Sequence, residues 1–288
     1  MADPKDLLDT TFAASNMAYT LEKGGKPDAG WRQVTHDPNS KIGKDLAAAQ
    51  GYELIAPNGM HVIAFAGTAH AGDIAPDIGN AVGVKTEKYL AAAEVGEDFK
   101  GKGYVMTGHS LGGGLAKTAA AVASHAKAGE PEPGQCVAVG FNPAPIGTRV
   151  LAQHGIDSNK PLESETITVV NRHDILNRVV EGGKLHIGQG GNAIHSRENA
   201  TEVTVVADGA GSAFGVAGHK IAALADPANP GHLTTKLGVD GAPVEKASFD
   251  RYVNAQIAAE SVVETKTALH MAAAPSLDSV GRAFQNAR

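Results

Sequence analysis

The segment of the chain best suited to chemistry is Gly108-His109-Ser110-Leu111-Gly112, set between the run YVMT and a stretch of Ala, Gly and Leu. In the pattern G-x-S-x-G a serine occupies a sharp strand-to-helix turn. The glycines answer a steric need, because side chains two residues before and after the serine would collide with neighbouring chain. The hydroxyl then stands at a helix amino terminus, where the macrodipole and backbone N–H groups favour developing negative charge. Such a serine can attack an acyl carbonyl. In a chain with 35 glycines the pentapeptide alone carries little weight. The strand before it and the small-residue helix after it supply the context that the motif requires.

An acyl-transfer site also needs an acid, a base and oxyanion donors. Asp174 follows the apolar run ITVVN, and the chain order Ser, Asp, His is that of the α/β-hydrolases. Its other role would be an N-cap for ILNRV. The base is harder to choose among 12 histidines. His109 lies inside the elbow with its ring expected to point away from the serine. His173 precedes the acid, His186 falls in a predicted strand and His195 in a polar loop. His219 (GVAGHKIAAL) and His232 (NPGHLTTKLG) each follow a glycine at a predicted loop-to-helix junction, and the residues alone leave both open. The N–H of Leu111, next after the nucleophile, is one oxyanion donor by elbow geometry.

GHSLGGGLA resembles the elbow of the class 3 (fungal-type) lipase family. MHVIAFAGTAHAGDIAPDI resembles that family's strand ending in F-R-G-T and the acidic loop after it, with aspartates four apart at Asp73 and Asp77. VVNRHDILNRV, followed by KLHIGQ, resembles its catalytic-aspartate segment and next strand. The resemblance spans roughly Tyr52 to Leu237 and leaves out the first and last fifty residues. It implies an α/β-hydrolase fold and a carboxylic ester hydrolase of triacylglycerol lipase or phospholipase A type. The implied triad is Ser110, Asp174 and His232, working through an acyl-enzyme without a cofactor or metal. Pro230-Gly231-His232-Leu233 matches the family's histidine segment, 58 residues past Asp174 against 45 for His219, so the resemblance favours His232. It also makes Thr68 the second oxyanion donor, through its backbone N–H and hydroxyl. Where Ala66 stands the family carries Arg or a similar polar residue, a departure that touches no catalytic role.

The implied substrate is a lipid ester or phospholipid, met at a transient membrane surface. The stretch from Thr68 to Lys85 occupies the family's lid region but is short and has no aromatic residue. The lack of a signal and of a disulfide framework also suits lipase-like effectors that bacteria deliver into rivals, for which an inhibitory protein partner is expected. A soluble short-chain esterase is the alternative within the class. Outside it stands a non-catalytic lipase-like binding module, which loss of a triad residue would mark.

The elements that must position these residues alternate along the chain. Helices are predicted over Asp6 to Thr20, Lys41 to Gln50, an alanine-rich segment ending near Phe99, Leu111 to Ala128, Thr148 to His154 and Pro243 to His270. YELIA and MHVIAFAG, joined at Pro57-Asn58-Gly59, read as a β-hairpin. Tyr104 to Gly108, Val137 to Phe141 and Ile167 to Asn171 read as buried strands, and KLHIGQ with EVTVVA as a strand pair. This alternation predicts an α/β fold with a mostly parallel central sheet flanked by helices. The expected organisation is one domain with its core at about residues 52–240 and helical extensions at both ends.

Bulk composition excludes several classes. With 288 residues, 42% apolar, the chain can bury a sizeable core. A net charge of -6, a pI near 6.0 and no basic stripe argue against nucleic acid. The single cysteine, Cys136, sits in CVAVGF and reads as core. The amino terminus lacks the basic start and apolar run of a secretory signal, and no run approaches the roughly 18 residues of a membrane span. A soluble protein, cytoplasmic or exported by a non-classical secretion system, is therefore expected.

Overall fold

The central strands are apolar on both faces, so each must be covered twice. Alternation sorts their side chains between two helical layers. In the computed structural model, Val62, Ala64 and Ala66 pack with one cluster while Ile63 and Phe65 pack with another. One strand over, Met106 joins the second cluster; further on, Ala138 does the same while Val139 and Phe141 face the other way. The structure describes residues 4–68, 86–127, 133–134, 136–144, 146–157, 162–171, 174, 202–207, 220–234, 237–239 and 242–244.

In chain order the elements are α1 (Pro4–Glu22), β1 (Arg32–Val34), α2 (Lys41–Ala49), β2 (Gly51–Ile55), β3 (His61–Phe65), α3 (Thr86–Asp98), β4 (Val105–His109), α4 (Leu111–Ser124), β5 (Val137–Phe141), α5 (Thr148–Gln153), β6 (Glu165–Asn171) and β7 (Glu202–Ala207). A 3-10 turn (Ile221–Leu224), β8 (Ala225–Asp226), β9 (Asn229–Leu233), β10 (Leu237–Val239) and β11 (Ala242–Val244) follow. The main sheet runs β1-β2-β3-β4-β5-β6-β7-β10-β11. Strands β3 to β7 are parallel and the flanking pairs antiparallel. β8 and β9 form a separate hairpin. The protein is thus an α/β fold with a mostly parallel sheet, as its alternating pattern implies.

Helix α4 owes its position to its composition. All fourteen residues of LGGGLAKTAAAVAS are buried, and only small side chains let a helix lie so close to a sheet. Its one cation, Lys117, donates to the Thr168 hydroxyl at 3.2 Å. On the opposite face, α1 lays Leu7, Leu8 and Phe12 against Val139, Phe141, Ile167 and Val169. Phe12 and Phe141 meet edge to face at 5.5 Å between ring centroids. A buried polar seam fixes the register of α1 on the sheet. Thr107 donates to the Val139 carbonyl at 2.7 Å and lies 2.9 Å from the Ser15 hydroxyl, which then donates to it.

Most predicted elements appear within a few residues of their expected ends, and the β2–β3 hairpin turns through Pro57-Asn58-Gly59 as anticipated. Three differences stand out. The polar connection before α2 contains the edge strand β1, three residues too short to show a period and created by pairing with β2. His232 lies within strand β9 instead of at a helix start, because NPGHL pairs with Ala225 and Asp226. Pro243 and Val244, predicted helical, belong to β11; the rest of that tail, KLHIGQ, Asp73, Asp77, His173, His186, His195 and His219 lie outside the described residues. Among the described residues no helix is long and apolar enough to cross a membrane.

Phe12 is fully buried and touches both α1 neighbours and the sheet. Phe12→Ala is expected to lower stability by about 3–5 kcal/mol, as large-to-small changes at packed aromatic sites do. Urea unfolding followed by circular dichroism measures it, and a loss below 1 kcal/mol would contradict the packing described.

Candidate active site

Ser110 joins β4 to α4 with φ 56° and ψ −124°, a conformation that non-glycine residues rarely adopt. Such a residue costs about 1–3 kcal/mol and persists only where the surroundings over-determine it. Here they do. The Ser110 N–H donates to the Phe141 carbonyl at 3.0 Å. Its own carbonyl accepts from the N–H groups of Gly113 (3.0 Å), Gly114 (3.3 Å) and Ala144 (2.8 Å). Glycine is required on both sides. A Cβ on Gly108 would strike the Gly112 backbone, and one on Gly112 would strike the Phe65 carbonyl. The elbow geometry inferred from G-x-S-x-G is therefore present in the backbone, with the serine buried at the carboxyl end of β4.

Asp174 lies three residues past the end of β6, fully buried, its N–H donating to the Asn171 carbonyl at 2.9 Å. β6 is separated from β4 by β5 alone. β4 and β6 lie two strand spacings apart, about 10 Å, and being parallel through β5 they end at the same sheet edge. Asn142 closes β5 in that gap at φ 43°. Its N–H donates to the Val169 carbonyl and its Oδ1 accepts from the Asn171 N–H, both at 2.7 Å. With Ala144 bonded to Ser110, the Asn142–Ala144 turn ties the elbow to β6. Sequence reasoning missed Asn142. The Asn-Pro dipeptide after an apolar run was the available signal, since Asn tolerates the left-handed region and Asn-Pro favours a turn.

Thr68 is half-buried just beyond β3. Phe65 pairs with Gly108 in the parallel register, and Thr68 and Leu111 each lie three residues past that pair. Ala66 is fully buried in a cluster with Ala14, Met17 and Ala18 of α1. His109 points away from the elbow, as expected, and its Nδ1 lies 2.7 Å from the Tyr19 hydroxyl.

The structure does not bring His232 to Ser110. Its Nδ1 lies 3.1 Å from Asp9 Oδ2, and the side chain is 49% exposed. Asp9 is near the start of α1, next to Thr10, which the β2–β3 turn residue Asn58 contacts at the amino edge of β3. Tyr19, beside the elbow, is ten residues further along the same helix, about 15 Å at 1.5 Å per residue. His232 is thus held at the edge of the sheet opposite the serine. Sequence spacing could not reveal this, because only the folded hairpin β8–β9 decides which end of the sheet the histidine meets.

Cys136 is not a nucleophile. It is buried, its Sγ 3.1 Å from the Tyr104 carbonyl, and burial together with nearby Glu165 pushes the thiol up to about 12.

A mostly parallel sheet with a strained serine at a central strand-to-helix turn is the framework of the α/β-hydrolase class. Within that class the chain belongs to a phospholipase-like family, the Tle-like phospholipase domain, which matches residues 11–219. The match takes in most of α1, which the resemblance read from sequence motifs left out. An extracellular phospholipase A1 of Serratia liquefaciens is 32% identical over 148 residues, covering 48% of this chain and 42% of that relative. The chain therefore spans less than half of that relative's length. No solved structure matches at the same significance.

At pH 8 a thiol near 12 is ionised in about one molecule in ten thousand. Native protein is expected to resist iodoacetamide at Cys136 for hours and to react within minutes in 8 M urea, as read by intact mass. Rapid alkylation of the native state would contradict the burial.

Proposed function

We propose that the protein is a serine carboxylester hydrolase that cleaves acyl esters of phospholipids, with Ser110 as nucleophile. The observation that carries this is the strained, hydrogen-bonded backbone of Ser110 at the β4–α4 turn. Membership of a phospholipase-like family and the similarity to a phospholipase A1 support the lipid substrate.

Asp174 is the orienting acid in this proposal, supported by its burial two strands from the serine. For the base we favour His219 over His232. His232 is engaged by Asp9 at the far edge of the sheet, and the family match ends at residue 219, which includes one histidine and leaves out the other. The histidine takes the Ser110 proton as Oγ bonds to the ester carbonyl carbon. Negative charge on the carbonyl oxygen is held by the N–H groups of Leu111 and Thr68. The C–O bond to the leaving alcohol breaks as the histidine returns the proton to it, leaving an acyl-serine. Water, deprotonated by the same histidine, then releases the fatty acid. A lysolipid and a free fatty acid are the products.

Ser110→Ala is expected to lower hydrolysis of a nitrophenyl ester by several orders of magnitude and to abolish labelling by a fluorophosphonate, with the wild-type adduct mapping to Ser110. Full turnover by this variant would remove the proposal. His219→Ala should match Ser110→Ala in turnover, whereas His232→Ala should stay within about twofold of wild type; the reverse order would return the base to His232. Phosphatidylcholine vesicles should release fatty acid, while release from tributyrin alone would favour a short-chain esterase.

A further inference from the structure

Tyr19 stands apart from every catalytic role above, yet it touches two chain segments that the reaction depends on. Its hydroxyl lies 2.7 Å from His109 Nδ1, and the two rings meet edge to face at 5.9 Å. The Gly67 backbone lies against this hydroxyl and favours its ionised form. Space for the hydroxyl exists only because residue 67 has no side chain: a Cβ there would collide with the Tyr19 oxygen. The one hydroxyl thus meets both His109 Nδ1 and the Gly67 backbone. Burial and the Glu22 carboxylate push the hydroxyl above its ordinary range, so it keeps its proton throughout an assay at neutral pH.

The two partners are immediate neighbours of the site. Gly67 precedes Thr68, and His109 precedes Ser110 and Leu111. β3 and β4 are joined by ladder bonds only as far as Phe65 and Gly108. Beyond that pair the spacing of the Thr68 and Leu111 N–H groups is set by contacts other than the β3–β4 ladder. An oxyanion hole works only when its donors are fixed before the charge develops.

Resting on the proposed hydrolase mechanism, we infer that Tyr19 is a positioning residue which clamps the ends of β3 and β4 through one hydroxyl and so sets the spacing of the oxyanion donors. The amino-terminal helix thereby reaches the active site from behind the sheet. Its length sets where the clamp falls, because the Ser15–Thr107 contact one helical turn earlier fixes the register of α1 on β4.

Tyr19→Phe deletes the hydroxyl and keeps the ring. Kinetics on a nitrophenyl ester, normalised to active sites titrated with a fluorophosphonate, should show kcat reduced roughly 10- to 100-fold, as sub-ångström to ångström misplacement produces, with KM within about twofold. Amide exchange at Gly67 should accelerate while the melting temperature moves by only a few degrees. In a His109→Leu background Tyr19→Phe should add less to the loss than it does alone, because the clamp is already broken on one side. An unchanged kcat per titrated site, or equal falls in kcat and thermal stability with Gly67 still protected, would overturn the clamp while leaving the hydrolase mechanism intact. A wild-type protein with no Ser110-dependent turnover or labelling would instead overturn that mechanism and the clamp's purpose with it.

Discussion

The backbone of Ser110 is held by four hydrogen bonds against its own conformational preference, and the other features of the site follow from that constraint. The φ of 56° turns the chain from β4 into α4 within one residue, leaving no space for side chains at 108 and 112. Removing those side chains allows α4 to approach β3 closely enough that the whole helix is enclosed, which in turn demands its run of glycine and alanine. Strain, glycine and small-residue packing are thus one requirement expressed at three places. The cost of about 1–3 kcal/mol is met by bonds from α4 and from the β5–Asn142–Ala144 segment, so the elbow depends on a stretch about thirty residues further along the chain.

The second organising relation is the alignment of α1 with β4. Apolar contact alone would let a helix slide along a sheet; the Ser15–Thr107 contact and the Tyr19–His109 contact stop it at one register. Both are polar groups taken out of water, and an unpartnered buried polar atom costs more than a made bond contributes. The penalty falls on every other register, which makes these contacts specifying even where their net stabilisation is small. The same helix carries Asp9 at the opposite edge, where it holds His232. One rigid element therefore meets the elbow at one end of the sheet through Tyr19 and His232 at the other through Asp9.

Local pattern made much of this legible. The glycine-bracketed serine, the Asn-Gly hairpin, the alternation of buried strands with helices and the aspartate after a strand are read from neighbours within about twenty residues, and each has a steric or hydrogen-bonding reason to look as it does. β1 was hidden because three residues show no period, and Asn142 because its role is to satisfy backbone groups of β6, 29 residues away. Tyr19 was hidden for the same kind of reason: a tyrosine at helical spacing reads as packing, and its partner lies 90 residues further on.

What the sequence alone determined is the serine elbow and the α/β class, both consequences of local geometry imposed by glycine, small residues and alternating apolar runs. What only the tertiary structure decided is the company these residues keep. His232 satisfied the expected spacing yet sits at the edge of the sheet opposite Ser110, because spacing along a chain says nothing about which end of a strand a returning hairpin will meet. That choice is made by long-range packing against α1, where one carboxylate at Asp9 fixes the outcome.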